Sequence, residues 1–284
     1  MRDRKNQRSS PGPPGPPRGR NSLLRARGQS GTFGLAMASA LLESVKGWVN
    51  AGLGFVYPEV CQVCGAARAT PAECYLCAGC REQVRFLEPP FCERCGLPFQ
   101  GSITNTFECA NCRDQSWAFA SARSAVIARG PVLEVIHQYK YNRAFWFEPL
   151  LAGWLIDRAR PELASSGWDC IVPVPLHPVK QREREFNQAE RLARQLSAAC
   201  GIPLHAGLLQ RILPTRTQTQ LTREERLANV RRAFACRGVA RLTGARIVVV
   251  DDVFTTGATT GACASVLKRA GASEVCVWTV ARGI

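Results

Sequence analysis

From Ser116 onward, short apolar runs alternate with longer stretches that mix apolar and polar residues. Apolar runs of about four to eight residues predict buried strands, and the stretches between them are long enough for helices. The predicted strands are 121–129, 170–173, 246–250 and 274–281, and the predicted helices are 132–139, 145–159, 185–199 and 258–270. Strands that alternate with helices are typical of α/β proteins, so we expect a doubly wound, mainly parallel sheet over residues 116–284.

The region before the cysteines has two parts. Residues 1–36 are rich in Pro, Gly and Arg, which predicts a disordered basic tail. Over 37–57, apolar residues at three- and four-residue steps predict an amphipathic helix that packs against its own domain, with a membrane surface or a partner protein as alternatives. The Arg-rich, acid-poor composition is compatible with a targeting leader. Met37, the only methionine after Met1, begins the predicted helix and is an alternative start.

The composition limits the function. The chain has 284 residues, enough for one or two compact domains, and no run of about 18 apolar residues that would predict a transmembrane helix. Its net charge of +15 suggests an anionic partner such as nucleic acid or a phosphorylated substrate. However, residues 1–36 carry eight basic residues against one acid, and two zinc ions bound by thiolates would remove further positive charge. The overall charge is therefore weak evidence for DNA binding.

Nine of the fourteen cysteines lie between Cys61 and Cys112, mostly as C-x-x-C pairs, and the other five are scattered singly. Paired spacings without a secretory signal favour zinc sites in a reducing compartment over disulfides or redox dithiols. We therefore expect a double zinc ribbon over 58–115 and a cytoplasmic protein.

The cysteines form two sets of four, each made of two C-x-x-C pairs, with twelve residues between the pairs in the first set and thirteen in the second. The predicted ligands are Cys61, Cys64, Cys77 and Cys80 for the first zinc, and Cys92, Cys95, Cys109 and Cys112 for the second. Four thiolates leave no open position on the metal, so both sites are expected to be structural. Cys74 is an alternative first-site ligand because it also forms a C-x-x-C pair with Cys77, and ligands shared between the two sets remain open. Gly65 and Gly96 each follow a knuckle, where a tight turn suits positive φ.

The run 248–260 carries the strongest functional signal. Three valines predict the end of a buried strand, Asp251 and Asp252 follow at its carboxyl end, and a Thr/Gly loop then opens a helix. Small residues at a helix N-terminus let backbone N–H groups approach a phosphate, and the carboxylates suit hydroxyl groups. The run therefore predicts a sugar-phosphate site; the alternative is an ordinary strand, turn and helix.

This run resembles the 5-phosphoribosyl-1-pyrophosphate (PRPP) signature of type I phosphoribosyltransferases. The resemblance implies that Asp251 and Asp252 bind the ribose hydroxyls of PRPP and that Mg²⁺ binds with it. It also implies a 5′-phosphate site made of Thr255, Thr256, Gly257, Ala258 and Thr259. No residue stands out as the base that would activate an acceptor.

A second loop offers cations beside a helix start. The strand 170–173 runs into a proline-rich loop with Lys180, Arg182 and Arg184, which suits a pyrophosphate, although a solvated basic loop is an equal alternative. The candidate pyrophosphate and substrate residues of this loop are Pro175, Leu176, Lys180, Arg182, Arg184, Asn187 and Gln188.

The order of these landmarks resembles the ComF family, over about 58–284. They are the cysteine knuckles, a Val-Pro-Val-Pro strand end, Phe-Asn-Gln-Ala, a Gln…Arg…Asn…Phe stretch and the PRPP signature. Lys140 and Tyr141 match the family's Lys-Tyr pair, and Gln220 and Arg226 belong to its Gln…Arg…Asn…Phe stretch, so the resemblance implies Lys140, Gln220 and Arg226 as further substrate residues. Residues 211–234 match a loop that folds over substrate in related enzymes, and 222–232 also predict an amphipathic helix. Glu185 stands where the family usually has Gly, and a carboxylate facing the pocket would repel pyrophosphate.

The resemblance implies a phosphoribosyltransferase-like domain that binds PRPP or a related ribose 5-phosphate. It also implies a role in natural competence, in which the protein handles internalised single-stranded DNA together with DNA-uptake and DNA-processing proteins. Two alternatives stay open: an active phosphoribosyltransferase of nucleotide metabolism or salvage, and a non-catalytic zinc-ribbon adaptor.

Overall fold

The computed structural model describes residues 59–99, 101, 109–113, 115–213, 233–237 and 242–284. The predicted tail 1–36, the predicted helices over 37–57 and 222–232, and the candidate residues Gln220 and Arg226 lie outside the described residues. Glu59–Ile284 is one compact unit that holds both the cysteine-rich region and the α/β region.

The sheet is parallel, with the strand order β1-β6-β5-β2. Its strands are β1 (Ser121–Ile127), β2 (Cys170–Pro173), β5 (Arg246–Phe254) and β6 (Glu274–Arg282). A separate antiparallel pair is formed by β3 (Leu209–Arg211) and β4 (Phe234–Cys236). This arrangement confirms the predicted parallel sheet.

Helices cover both faces of the sheet. They are α1 (Ala78–Glu82), α2 (Ala110–Arg113), α3 (Pro131–Tyr141), α4 (Glu148–Leu163), α5 (Pro178–Arg184), α6 (Gln188–Cys200) and α7 (Ala258–Arg269), with 3-10 turns at Pro71–Glu73 and Phe145–Phe147. Val248 and Val250 face the cluster that contains α4 and α6, whereas Ile247 and Val249 face the one that contains α7. Because all four side chains are fully buried, β5 needs no polar alternation, and the sheet is doubly wound as predicted.

Strand β5 is longer than predicted. Its parallel pairing with β6 continues through Asp251 as far as Phe254, while its pairing with β2 stops at Val250. The prediction that the strand ends at Val250 is therefore wrong on the β6 side. Asp251 and Asp252 belong to the strand, yet they lie beyond the carboxyl end of its neighbour β2.

The helix predicted over 185–199 begins later and is preceded by a separate helix, α5. Glu185 lies between α5 and α6 with a left-handed backbone, φ 65°, which no helix can continue. Asn187 then caps α6, because its side-chain oxygen accepts the N–H of Ala189 at 3.1 Å. The helix predicted to end at 159 also runs on, as far as Leu163.

The cysteine-rich region covers the open edge of β1. Phe86 pairs with Val126 in an antiparallel bridge, and the N–H of Leu87 donates to the carbonyl of Ala125 at 2.9 Å. An exposed edge strand is a template for aggregation, so this pairing protects the sheet. Within the described ranges, none of the helices has the length and hydropathy needed to cross a membrane.

Candidate functional site

A pair of carboxylates and one ammonium group form the centre of the candidate site. Lys140, in the last turn of α3, lies with its Nζ 2.9 Å from Oδ2 of Asp252. The backbone N–H of Asp252 donates to Oδ1 of Asp251 at 2.9 Å. The structure therefore brings Lys140 against a carboxylate pair that lies far from it in the sequence.

Burial and mutual repulsion set the charge of this group. Burial and the neighbouring charge of Asp252 raise the pKa of Asp251 to about 7, although Lys140 opposes the shift. Burial alone would lower the pKa of Lys140, but the charge of Asp252 outweighs it and raises that pKa. Lys140 is thus a permanent cation, and Asp251 is an acceptor whose ionisation falls near neutral pH.

Residues 255–259, here called the phosphate loop, connect β5 to α7. Gly257 caps the helix with φ 78°, and a Cβ there would lie 2.7 Å from Cζ of Phe254 and 3.0 Å from Cη2 of Trp117. Only glycine fits this combination of positive φ and close approach. The N–H groups of the first turn of α7 have no partners within the helix, and the helix dipole favours an anion there.

A basic pocket of about 260 Å³ adjoins the carboxylates. Its lining residues are Lys140, Tyr141, Arg143, Lys180, Glu183 and Arg184. Arg184 stacks over the ring of Tyr141 at 4.8 Å and donates to its hydroxyl at 3.1 Å and to Oε1 of Gln188 at 3.2 Å. Lys140, Lys180 and Arg184 therefore share one pocket, whereas Arg182 is exposed and is not among the lining residues.

The other candidates of this loop have structural contacts. The side-chain amide of Asn187 donates to the carbonyl of Val174 at 3.1 Å, which holds the start of α6 against the end of β2. Gln188 is buried and supports Arg184. Pro175 and Leu176 lie, partly exposed, between β2 and α5.

Glu185 does not line the basic pocket. Its carboxylate forms an ion pair with Arg143, at 2.6 Å, and both residues have positive φ, 65° and 55°. A non-glycine residue in this region is strained by about 1–2 kcal/mol. The positive φ explains why glycine suits this position in the family.

The cysteines form two separate clusters, the first made of Cys61, Cys64, Cys77 and Cys80 and the second of Cys92, Cys95, Cys109 and Cys112. All sulfur atoms of a cluster lie within 4.8 Å of one another. Four sulfurs around zinc are about 3.8 Å apart when the Zn–S distance is about 2.3 Å. The measured Sγ–Sγ distances include 3.8 Å for Cys61–Cys80 and 3.5 Å for Cys95–Cys109.

The chemistry of the donors also fits a divalent cation. Burial and the neighbouring thiols raise the pKa of Cys80 and of Cys112, so four thiolates cannot coexist without a positive charge between them. Cys74 is not part of either cluster; it ends a 3-10 turn with φ 52°. The two sets are therefore the predicted ones, with no sharing between them.

Comparison with known proteins identifies the family. Residues 52–114 match the double zinc ribbon domain family. The chain is 31% identical over 215 residues to Competence protein F of Haemophilus influenzae, which covers 73% of this chain and 90% of that protein. The chain belongs to the ComF family.

Other ComF-type relatives agree. The chain is 30% identical over 228 residues to the DNA utilization protein YhgH of Salmonella typhimurium, which covers 79% of this chain and 97% of that protein. Competence protein ComFC of Streptococcus pneumoniae is 30% identical over 145 residues, 51% of this chain and 60% of that protein.

Solved structures give only distant likenesses. A glutamine PRPP amidotransferase from B. subtilis is 23% identical over 50% of this chain and 30% of that chain, with a TM-score of 0.33. Adenine phosphoribosyltransferase from Leishmania tarentolae is 18% identical over 49% of this chain and 58% of that chain, with a TM-score of 0.31. Scores this low do not establish a common fold, and the parallel sheet rests on its own strand order.

The sequence did not predict a role for two residues that lie near the phosphate loop, Arg282 and Trp117. Arg282 ends the apolar strand β6 and is only 3% exposed, and its Nη1 donates to the carbonyls of Phe254 at 3.1 Å and of Thr255 at 2.7 Å. Trp117 lies with its ring against Gly257 and Gly261. A lone arginine that closes an otherwise apolar strand is a signal that could have identified Arg282; the position of Trp117 has no comparable signal.

Proposed function

We propose that this ComF-family chain binds PRPP, or a related ribose 5-phosphate, between Asp251, Asp252 and the phosphate loop. The observation that carries the proposal is the Lys140–Asp252–Asp251 group beside a glycine-capped helix N-terminus, at the end of a parallel strand. Carboxylates accept hydrogen bonds from vicinal hydroxyls, and backbone N–H groups at a helix start bind phosphate. One ribose 5-phosphate satisfies both requirements.

The parts of PRPP match three regions of the site. The ribose hydroxyls would be held by Asp251 and Asp252, the 5′-phosphate by the phosphate loop, and the pyrophosphate by Lys180 and Arg184 in the basic pocket. When bound, Mg²⁺ would supply charge neutralisation for the pyrophosphate, with the two carboxylates within its reach. Lys140 offsets one negative charge of the carboxylate pair, which lets an anionic ligand approach.

We also propose that the protein acts in the cytoplasm in competence or DNA utilization, with single-stranded DNA as its second ligand. The names of the relatives support this role: competence proteins in H. influenzae and S. pneumoniae and a DNA utilization protein in S. typhimurium. The 5′-phosphate of a DNA strand has the chemistry for which the phosphate loop is suited.

Calorimetric titration with PRPP, ribose 5-phosphate and ribose tests the ligand. We expect both phosphates to bind and ribose not to bind. Asp251→Asn should weaken PRPP binding at least tenfold. Asp169→Asn is the matched control, because Asp169 accepts the N–H of Arg246 at 2.8 Å at the opposite end of the same strand pair. If neither PRPP nor ribose 5-phosphate binds the wild-type protein, the proposal is wrong and the non-catalytic zinc-ribbon adaptor becomes the favoured function.

Two further assays separate the possible roles. Release of pyrophosphate from Mg²⁺–PRPP with candidate bases or amines, abolished in Asp251→Asn, would identify a transferase. Oligonucleotides of one sequence with a 5′-phosphate or a 5′-hydroxyl test the DNA role. We expect tighter binding of the phosphorylated strand and competition by PRPP, whereas equal binding of the two strands would exclude the phosphate loop as the DNA site.

A further inference from the structure

Arg282 contacts both the second zinc cluster and the segment that enters the phosphate loop. Its Nη2 lies 3.9 Å from Sγ of Cys95, and its Nη1 donates to the carbonyls of Phe254 and Thr255. The guanidinium also lies over the ring of Phe254, 4.7 Å from its centroid. One buried side chain therefore connects a predicted metal ligand to the backbone of the loop.

The second cluster is the counter-charge of this arginine. Arg282 is 3% exposed, and no carboxylate among the described residues pairs with it. A zinc ion with four thiolates carries a net charge of about −2. Removal of the metal takes away the ion that fixes Cys95 in the cluster, so the Arg282 guanidinium loses its contact on this side while its bonds to the carbonyls of Phe254 and Thr255 remain.

A second connection runs through Trp117. Arg94 lies in the first knuckle of the second cluster, and its Nη2 donates to the carbonyl of Trp117 at 2.8 Å. The Trp117 ring in turn packs against Gly257 and Gly261, at the start of α7. The cluster thus holds the loop from two directions, by Arg282 at its entry and by Trp117 at its helix end.

A cavity lies between the cluster and the loop. It has a volume of about 200 Å³, and its lining residues are Cys95, Asn111, Cys112, Trp117, Phe254, Thr255, Thr256 and Arg282. Residues of the cluster and of the loop therefore border the same open space, and Arg282 and Trp117 lie beside both.

We infer that metal in the second cluster, acting through Arg282, holds the phosphate loop in its binding conformation. Arg282 is a positioning residue, because its hydrogen bonds go to the backbone carbonyls of Phe254 and Thr255 at the entry to the loop. The identity of the loop's ligand rests on the function proposed above, whereas the dependence of the loop on the metal does not. Because coupling between two sites is reciprocal, a ligand that orders the loop should slow the release of zinc from the second cluster and leave release from the first cluster unchanged.

Zinc release to a chelator is the first test. We expect two phases, the faster one assigned to the first cluster by its loss in Cys64→Ser. Arg282→Lys keeps a positive charge but cannot reach sulfur and carbonyls together, so release from the second cluster should become about 10–100 times faster. Arg246→Lys is the matched control, because Arg246 also lies over an aromatic ring, Trp168, and donates to backbone carbonyls at the far end of the sheet.

Hydrogen exchange of the peptide 254–258 is the second test, and it needs no ligand. Removal of the second zinc, or Arg282→Lys, should raise exchange in this peptide while β2 and α6 stay protected. An unchanged slow phase in Arg282→Lys, an equal acceleration in Arg246→Lys, or a loop indifferent to metal removal would overturn the inference. If ribose phosphates do not bind the wild-type protein, the proposed function fails, and these two measurements still decide the role of Arg282.

Discussion

The two zinc clusters are both built from two C-x-x-C pairs, but their surroundings differ. In the first, Cys64 is exposed, and the adjoining knuckle contacts α3 through a bond from Nε2 of Gln138 to the carbonyl of Gln62, at 2.7 Å. In the second, all four cysteines are buried, and Arg282 lies against one of them. A duplicated motif has thus produced one cluster at the surface and one behind the phosphate loop.

The difference shows that a repeat in the sequence need not carry the same role twice. Both ribbons need metal because a small cysteine-rich segment has few apolar side chains with which to fold. In the second ribbon, the ligands Cys95 and Cys112 line the same cavity as Thr255 and Thr256 of the phosphate loop. The first ribbon should therefore affect stability, and the second should affect both stability and the phosphate loop.

Removal of one ligand from each cluster should give the largest contrast. We expect Cys112→Ser to lower the free energy of unfolding by about 3–5 kcal/mol more than Cys64→Ser. The extra loss arises because Cys112→Ser removes negative charge and weakens zinc binding in the cluster that faces the buried Arg282. Urea unfolding of both variants at the same zinc concentration measures the difference, and equal losses would show that the surroundings of the two clusters do not matter.

The two knuckle glycines offer a finer comparison. Gly65 and Gly96 both have positive φ, 67° and 64°. A Cβ at Gly65 would meet nothing within 4 Å, whereas at Gly96 it would lie 2.7 Å from the carbonyl oxygen of Ala122. We expect Gly65→Ala to cost about 1–2 kcal/mol from the backbone alone and Gly96→Ala to cost about 1–3 kcal/mol more. Thermal unfolding at matched zinc content tests this, and similar values would mean that β1 yields to the added methyl group.

Mild acid should change the stability contributions of the zinc clusters and of the carboxylate pair in opposite directions. The pKa of Asp251 is raised to about 7 in the folded state, above its usual value in an unfolded chain. The folded protein therefore holds a proton that the unfolded chain has lost, and the contribution of Asp251 to stability falls as the pH rises from about 4 to 7, by at most about 1.4 kcal/mol per unit. Zinc thiolates respond in the opposite direction, because protons compete with the metal.

The Asp251→Asn variant isolates the carboxylate contribution. Subtracting its unfolding free energy from that of the wild type at each pH cancels the zinc clusters. We expect this difference to decline between pH 5 and 7. A flat or rising difference would show that Asp251 is ionised throughout this range.

The sequence predicted elements that depend on local pattern. Strand β2 has the predicted bounds because proline loops end it, and the cysteine quartets follow from their spacing. Features that depend on residues distant in the sequence were predicted wrongly or not at all. The end of β5 is decided by β6, the break at Glu185 needs a backbone angle that glutamate rarely adopts, and the role of Arg282 depends on a cysteine that lies 187 residues away. The exclusion of Cys74 likewise required three-dimensional distances.

The smallest expected contrast is between the hydrogen bonds that attach each ribbon to its neighbour. Gln138→Ala removes the neutral bond to the first ribbon and should cost about 1 kcal/mol. Arg94→Ala removes a charged bond to the carbonyl of Trp117 and should cost about 1.5–3 kcal/mol. Because Trp117 packs on Gly257, Arg94→Ala should also raise hydrogen exchange in the peptide 254–258, and Gln138→Ala should not. Hydrogen exchange measured on both variants tests this. An equal response of the loop to the two variants would show that the two ribbons do not differ in their effect on the phosphate loop.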